Sequence, residues 1–332
     1  MNVFVVIQQM LVLLVMIMVG FFAYRGNWID DHSYGKLSKI VINILNPCIL
    51  INGVLGKNNT LNGQVVVHNL ILAVVYFAIL VLFSLPIVKA LKFQKRHENV
   101  YRLMFIFSNV GFMGIPVISS IYGQESIILI AFYTLGYNAL LYSYGILLAS
   151  SANGDAEHNA LASGIQKESD HHPAAKKAGF WRQLINPGIV ACVVAIVIFA
   201  AGIQLPDSVC TFFDYMGNSV VPFSMMLIGA SLAQGGKKEF FTDVKFYLFA
   251  AIKLLVVPIA MALLLRVIPG VNQWEAITKG VFLLMLAMPV GSIVVMMAKE
   301  YGADEIESTK GSIISTLLAV ITIPIVAIFL PF

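Results

Sequence analysis

The chain has 332 residues; 59% are hydrophobic and 11% charged, with a mean hydropathy of +0.87. A soluble domain carries about 45–50% apolar and about 25% charged residues, so this composition excludes a cytosolic enzyme, a nucleic-acid-binding domain and a disordered regulator. What remains is a polytopic helical membrane protein, because lipid does not tolerate open sheet edges.

A membrane crossing needs about 20 apolar residues. Ten such runs lie near 3–24, 37–55, 65–88, 103–121, 126–149, 184–203, 211–233, 246–267, 276–298 and 309–331. The first is too long for a signal-peptide core and has no basic residue before it, so it reads as a retained helix. Basic residues orient the runs. Arg25, Lys36 and Lys39 follow the first run, and Lys89, Lys92, Lys95, Arg96 and Arg102 follow the third. Lys167, Lys176, Lys177 and Arg182 follow the fifth, Lys237, Lys238 and Lys245 the seventh, and Lys299 and Lys310 the ninth. The even-numbered loops hold only Lys57, Arg266 and Lys279. This bias predicts a multi-pass cell-membrane protein with both termini outside. The polar stretch 151–182 then reads as a cytoplasmic linker between a first five-helix repeat (1–150) and a second (183–332). Its histidines read as solvated residues rather than metal ligands, and Cys48, Cys192 and Cys210 as small core hydrophobes; no cofactor is expected.

Five crossings per half require the second half to sit inverted. Corresponding runs carry matching prolines: Pro47 and Pro222 in runs 2 and 7, Pro116 and Pro289 in runs 4 and 9. Proline removes a helix hydrogen bond and clashes with the preceding turn. Run 4 holds Gly111, Gly114 and Pro116 within six residues, and run 9 holds Pro289, Gly291 and Ser292 within four. Both helices are therefore expected to break in mid-membrane. Each second half would aim its N-terminus, with free N–H groups and partial positive charge, at the bilayer centre, which favours an anion.

Asn109 and Ser292 flank the breaks as hydrogen-bonding candidates. Asn46 and Asn186 each precede a proline, where helix breaking and a free amide coincide, and Asn138 is a further amide of the fifth run. No acid sits in the centre of a run, which disfavours a carboxylate cation site. Lys253 lies inside run 8, where a lysine costs roughly 2.5–3.5 kcal/mol. It can snorkel toward the near end, compensate helix C-termini, or attract the anion. His68 reads as an interfacial polar residue.

Three motifs resemble the auxin efflux carrier family, which includes plant auxin carriers and bacterial malate and malonate carriers. They are Asn109–Pro116 (NVGFMGIP), Ala287–Tyr301 (AMPVGSIVVMMAKEY) and Ile185-Asn186-Pro187. The resemblance implies an all-α fold of ten transmembrane helices in a 5+5 inverted repeat, shared with bile-acid and sodium–proton carriers. Helices 1, 2, 6 and 7 would form a scaffold, often homodimeric, and helices 3–5 with 8–10 a moving domain. Broken helices 4 and 9 would cross at the substrate site. Asn109 and Asn186 would match asparagines that face an anionic substrate, and Lys253 would stand where relatives often carry a basic residue. The plant carriers' acid and lysine in the third helix have no counterpart between Val65 and Val88.

The expected function is secondary transport of a small organic anion, a mono- or dicarboxylate such as malate or malonate, or an auxin-like acid, by alternating access. The partners are that anion, membrane lipid and a second copy, and no nucleic acid. The alternatives are a cation-coupled carrier of a cationic or lipid-like substrate, which predicts buried acids, and a channel or receptor on the same fold. An intramembrane enzyme would need a Ser/His pair, HExxH or paired aspartates within the runs, and these are missing.

Overall fold

A computed structural model describes residues 3–55, 63–151, 187–234 and 243–330. The described residues are helical, with no strand among them beyond one isolated bridge. Helix α1 spans Val3–Arg25, α2 Asp31–Leu55, α3 Gly63–Ala90 and α5 Glu125–Ser151. Between α3 and α5 lie two half-helices, α4a (Glu98–Ile106) and α4b (Val110–Tyr122). After residue 186 come α6 (Pro187–Ala201), α7 (Asp207–Gln234) and α8 (Val244–Val267). The last are the halves α9a (Ala276–Leu286) and α9b (Ser292–Tyr301), then α10 (Glu305–Ala327).

Six of these are long and apolar enough to cross a membrane unaided: α2, α3, α5, α7, α8 and α10. The other apolar stretches are shorter: Leu11–Arg25, α4b, α6 and α9a. The chain is thus an all-helical, multi-pass membrane protein. Its exposed apolar side chains, such as Val15, Phe22, Val74 and Ile321, are those of a surface that faces hydrocarbon rather than water.

The prolines act less abruptly than the sequence suggests. Pro47 does not end α2; the helix runs through it, widened to a π-helical turn at Val41–Leu45. Similar wide turns at Val110–Gly114 and Ile252–Val256 precede Pro116 and Pro258. In each case the turn ends two residues before the proline, where a looser turn relieves the clash of its ring with the preceding carbonyl. Pro222 sits in the first turn after an interruption at Ser219 in α7, a position that needs no N–H.

Without water to drive apolar association, small residues let membrane helices approach closely. On α1, a Cβ at Gly20 would stand 2.0 Å from Met226 O of α7. On α7, a Cβ at Gly229 would stand 1.9 Å from Ile17 O of α1. The two backbones therefore touch at both points. Helix α2 packs against α6 and the first half of α7. Around α4a, Tyr101, Phe105, Phe246 and Phe249 form a buried aromatic cluster with α8.

Acids gather at helix starts, as N-caps should. Asp30 accepts from Ser33 N, Asp243 from Lys245 N and Phe246 N, and Asp304 from Glu307 N. Lys310 bridges Asp243 at 2.6 Å and Glu307 at 3.4 Å, and Tyr101 donates to Glu307 at 2.8 Å. The starts of α4a, α8 and α10 are thereby tied together. His68 stacks on Trp274 at 4.2 Å, with Nδ1 3.2 Å from Glu275, joining α3 to the turn before α9a.

Candidate functional site

Helix α4a stops at Ile106 because the next residues turn extended: Phe107 has φ −97°, ψ 91°. Helix α9a stops at Leu286, and Gly291 is again extended, with φ −72°, ψ 140°. The two interruptions meet. Asn109 N donates to Pro289 O at 2.8 Å and Gly291 N to Phe107 O at 2.9 Å, an antiparallel pairing centred on Ser108 and Val290. Each break thus satisfies backbone groups that the other leaves open, as a low-dielectric interior requires. Gly291 is needed for this approach, since a Cβ there would stand 2.9 Å from Ser108 O.

Three side chains finish the breaks. Asn109 Oδ1 accepts from Phe112 N at 3.2 Å and so caps α4b. Buried Ser315 of α10 takes the N–H of Val290 at 3.0 Å. Lys253 is 1% exposed and does not snorkel. Its Nζ donates to Phe105 O at 2.7 Å and to Ser108 Oγ at 2.9 Å, the C-terminal end of α4a. Among the described residues no carboxylate forms an ion pair with it.

The breaks border a cavity of about 200 Å³. Helix α2 contributes Ile42, Asn43, Asn46 and Leu50; α5 contributes Thr134, Tyr137, Asn138 and Leu141; α6 contributes Pro187 and Gly188. Ser108, Asn109, Val110, Gly111, Phe112 and Ile115 line it from the first break and α4b, and Gly291, Ser292, Ile293 and Met296 from the second. Every described lining residue is uncharged. The first turns of two helices border it, and such turns have N–H groups without helical partners. The volume lies below the roughly 300–1,000 Å³ of pockets for drug-sized ligands. Asn109 and Ser292 also border a second space of about 10 Å³ with Ser231, Ser312 and Thr316, large enough for one water.

Of the residues singled out from sequence, Asn46, Asn109, Gly111, Asn138, Gly291 and Ser292 come together at this cavity. Gly114, Pro116, Pro289 and Lys253 do not line it. Gly114 and Pro116 are buried behind the wall, where a Cβ on Gly114 would touch Met285 and Met288. Pro289 gives its carbonyl to Asn109 and so serves the pairing rather than the cavity. Asn186 lies outside the described residues, one position before the lining Pro187. Asn138 commits an amide hydrogen to Thr134 O. Gly111 lies close to Asn46, whose Nδ2 stands 3.0 Å from where a Cβ would be, so a side chain there would push the amide aside.

Sequence reasoning left out Thr134, Leu141, Ser108, Asn43 and Tyr137 as site residues. The α5 members recur at 134, 137, 138 and 141, the spacing of one helix face. That stripe is visible in the sequence once α5 is known to face the breaks.

An all-helical membrane chain whose paired helix interruptions border a largely apolar cavity edged by amides and hydroxyls fits a membrane transport protein. Residues 5–327 match the membrane transport protein family, and the chain belongs to this auxin efflux carrier-like family. An uncharacterized transporter of Methanothermobacter thermautotrophicus is 23% identical over 223 residues, covering 67% of this chain and 65% of that protein. The uncharacterized transporter YfdV of Escherichia coli K12 is 23% identical over 264 residues, 77% of each chain.

Proposed function

We propose that the protein is a secondary transporter of a small organic anion, a mono- or dicarboxylate, bound in the cavity beside the paired breaks. The observation that carries this reading is electrostatic. The cavity is edged by amides, hydroxyls and two helix first turns, no acid lines it among the described residues, and Lys253 stands 2.9 Å behind the lining Ser108. A carboxylate would complete that charge balance, whereas a cation would meet positive partial charges from two sides.

In this reading α4a with α4b, and α9a with α9b, each count as one crossing. Ten crossings then form two inverted repeats of five, with broken helices 4 and 9 crossing at the site. Helices α1, α2, α6 and α7 are the scaffold and the homodimer surface, the remainder moves, both termini face outward, and 151–182 lies in the cytoplasm.

The test is thermal shift of purified protein against carboxylates of two to six carbons, followed by uptake of any stabilising acid into proteoliposomes. A ligand that prefers the native form raises its melting point. Asn109→Ala should abolish the ligand response and lower uptake while costing about 1 kcal/mol of stability through the lost cap. Asn109→Asp keeps a capping acceptor but sets a negative charge at the site, so it should retain stability and lose anion binding. Full carboxylate binding by Asn109→Asp would refute the proposed site.

A further inference from the structure

The cavity ends where α2 and α5 come into direct contact. Its lining on α5 runs from Thr134 to Leu141, and on α6 it takes the first two residues, Pro187 and Gly188. Toward the C-terminal half of α5 its lining thus continues to Leu141. In the other direction, Leu50 is the last α2 residue to line it. One turn further on, Gly53 packs against Ile127 of α5, which is fully buried. A Cβ at Gly53 would lie 2.5 Å from both Cβ and Cγ2 of Ile127. Only glycine allows α2 and α5 to meet this closely.

The polar groups beside this contact are arranged to survive its opening. Asp214 Oδ1 of α7 accepts from Asn218 at 2.9 Å and from Asn52 of α2 at 3.3 Å. These bonds lie within the α2–α7 pair. Across to the turn before α5, Gln124 reaches Asn218 with a long 3.5 Å contact. Parting α2 from α5 would break an apolar contact and leave the Asp214 cluster intact, so few buried polar groups are stranded, the costly outcome in such a transition.

We propose that the Gly53–Ile127 contact is the closure that seals the binding cavity from the face opposite the 151–182 linker, and that it parts in each transport cycle. This rests on the alternating-access reading above.

A sidedness assay tests it without substrate. Thr134→Cys, in a chain whose Cys48, Cys192 and Cys210 are replaced by alanine, is labelled with a membrane-impermeant maleimide in vesicles of either orientation. With Gly53 and Ile127 unchanged, labelling should come from the linker face. Gly53→Val wedges the closure and should raise labelling from the opposite face by roughly tenfold or more. Adding Ile127→Ala makes room for the valine and should restore the original sidedness. Ile127→Ala alone should raise opposite-face labelling several-fold, which keeps the test decisive if Gly53→Val does not fold. Unchanged sidedness in Gly53→Val and in Ile127→Ala, or failure of the double variant to restore it, overturns the proposal. Loss of sidedness switching beside an intact carboxylate response removes the closure alone. Intact switching without any carboxylate response removes the anion reading alone.

Discussion

Replacing Lys253 by methionine separates the stability of the site from its electrostatics. The ammonium donates to Phe105 O and Ser108 Oγ, and each charge-assisted bond of this kind is worth about 1.5–3 kcal/mol. Against this stands the desolvation of a buried ammonium with no carboxylate partner among the described residues, several kcal/mol in its own right. The two offset, so Lys253→Met should fold and melt within a few degrees of the parent. Binding should respond differently. A carboxylate oxygen held by the Ser108 hydroxyl stands about 6 Å from Nζ, and at an effective dielectric of 20 the attraction is about 3 kcal/mol, close to 100-fold in affinity. The assay is titration of the stabilising carboxylate by calorimetry or thermal shift on both proteins at fixed pH and salt. A folded Lys253→Met protein with an unchanged dissociation constant would show that this charge is not felt in the cavity, and the electrostatic argument for an anion would fail.

Two further predictions concern the supports of the fold. Ser315→Ala leaves the N–H of Val290 buried without an acceptor, and should destabilise the protein by about 1–3 kcal/mol, read as a lower melting temperature, with anion affinity lowered because the second break loses its anchor. At the starts of α8 and α10, burial raises the Asp243 carboxyl, but the hydrogen bond and charge of Lys310, with the N–H groups of Phe246 and Lys245, outweigh it and hold the carboxyl below its usual value. A depressed acid stabilises the fold above its unfolded value, about 3.9, and that contribution disappears as pH falls through the lower folded value. Melting temperature against pH should therefore drop below about pH 4, and Asp243→Asn should flatten that drop.

The class of protein and which helices fail were legible in the sequence, because both follow from local chemistry. Apolar run length marks membrane helices, and the second interruption falls at Pro289 and Gly291, but the first falls at Phe107–Asn109, ahead of Gly111, Gly114 and Pro116, which lie inside α4b. Less legible was what proline does when the chain can widen: Asn46-Pro47 reads as a break yet lies in continuous helix after a loosened turn. The identity of the lining residues was legible only in part. Gly114, Pro116 and Pro289 stand out in the sequence, but Gly114 and Pro116 pack inside α4b and Pro289 serves the pairing of the breaks, so none of them lines the cavity. Thr134 and Leu141 sit in unbroken α5, where nothing local distinguishes a lining face from a packed one. The partners of Lys253 and Ser315 were hidden for a different reason. The bond from Lys253 to Phe105 joins residues 148 apart in the chain, and no periodicity encodes it.

These long-range supports explain why two weak helices are stable in one place. A single interruption in an apolar interior strands carbonyls on one side and N–H groups on the other, each costly without water. Bringing two interruptions together lets Phe107 O and Pro289 O accept from Gly291 N and Asn109 N. The pairing is incomplete, and the remainder decides the chemistry. The carbonyl end of α4a is neutralised by the cation of Lys253, and the N–H of Val290 by Ser315. The first turns of α4b and α9b border the cavity, with Asn109 Oδ1 capping Phe112 N and the carbonyls of Ser108 and Gly291 accepting from Val110 N and Val294 N. The protein has thus closed the electronegative end of its break from within and left electropositive ends against an uncharged cavity. A guest that carries negative charge would complete the arrangement with the least reorganisation, so the proposed anion substrate draws its support from how the break is held and not only from where it lies.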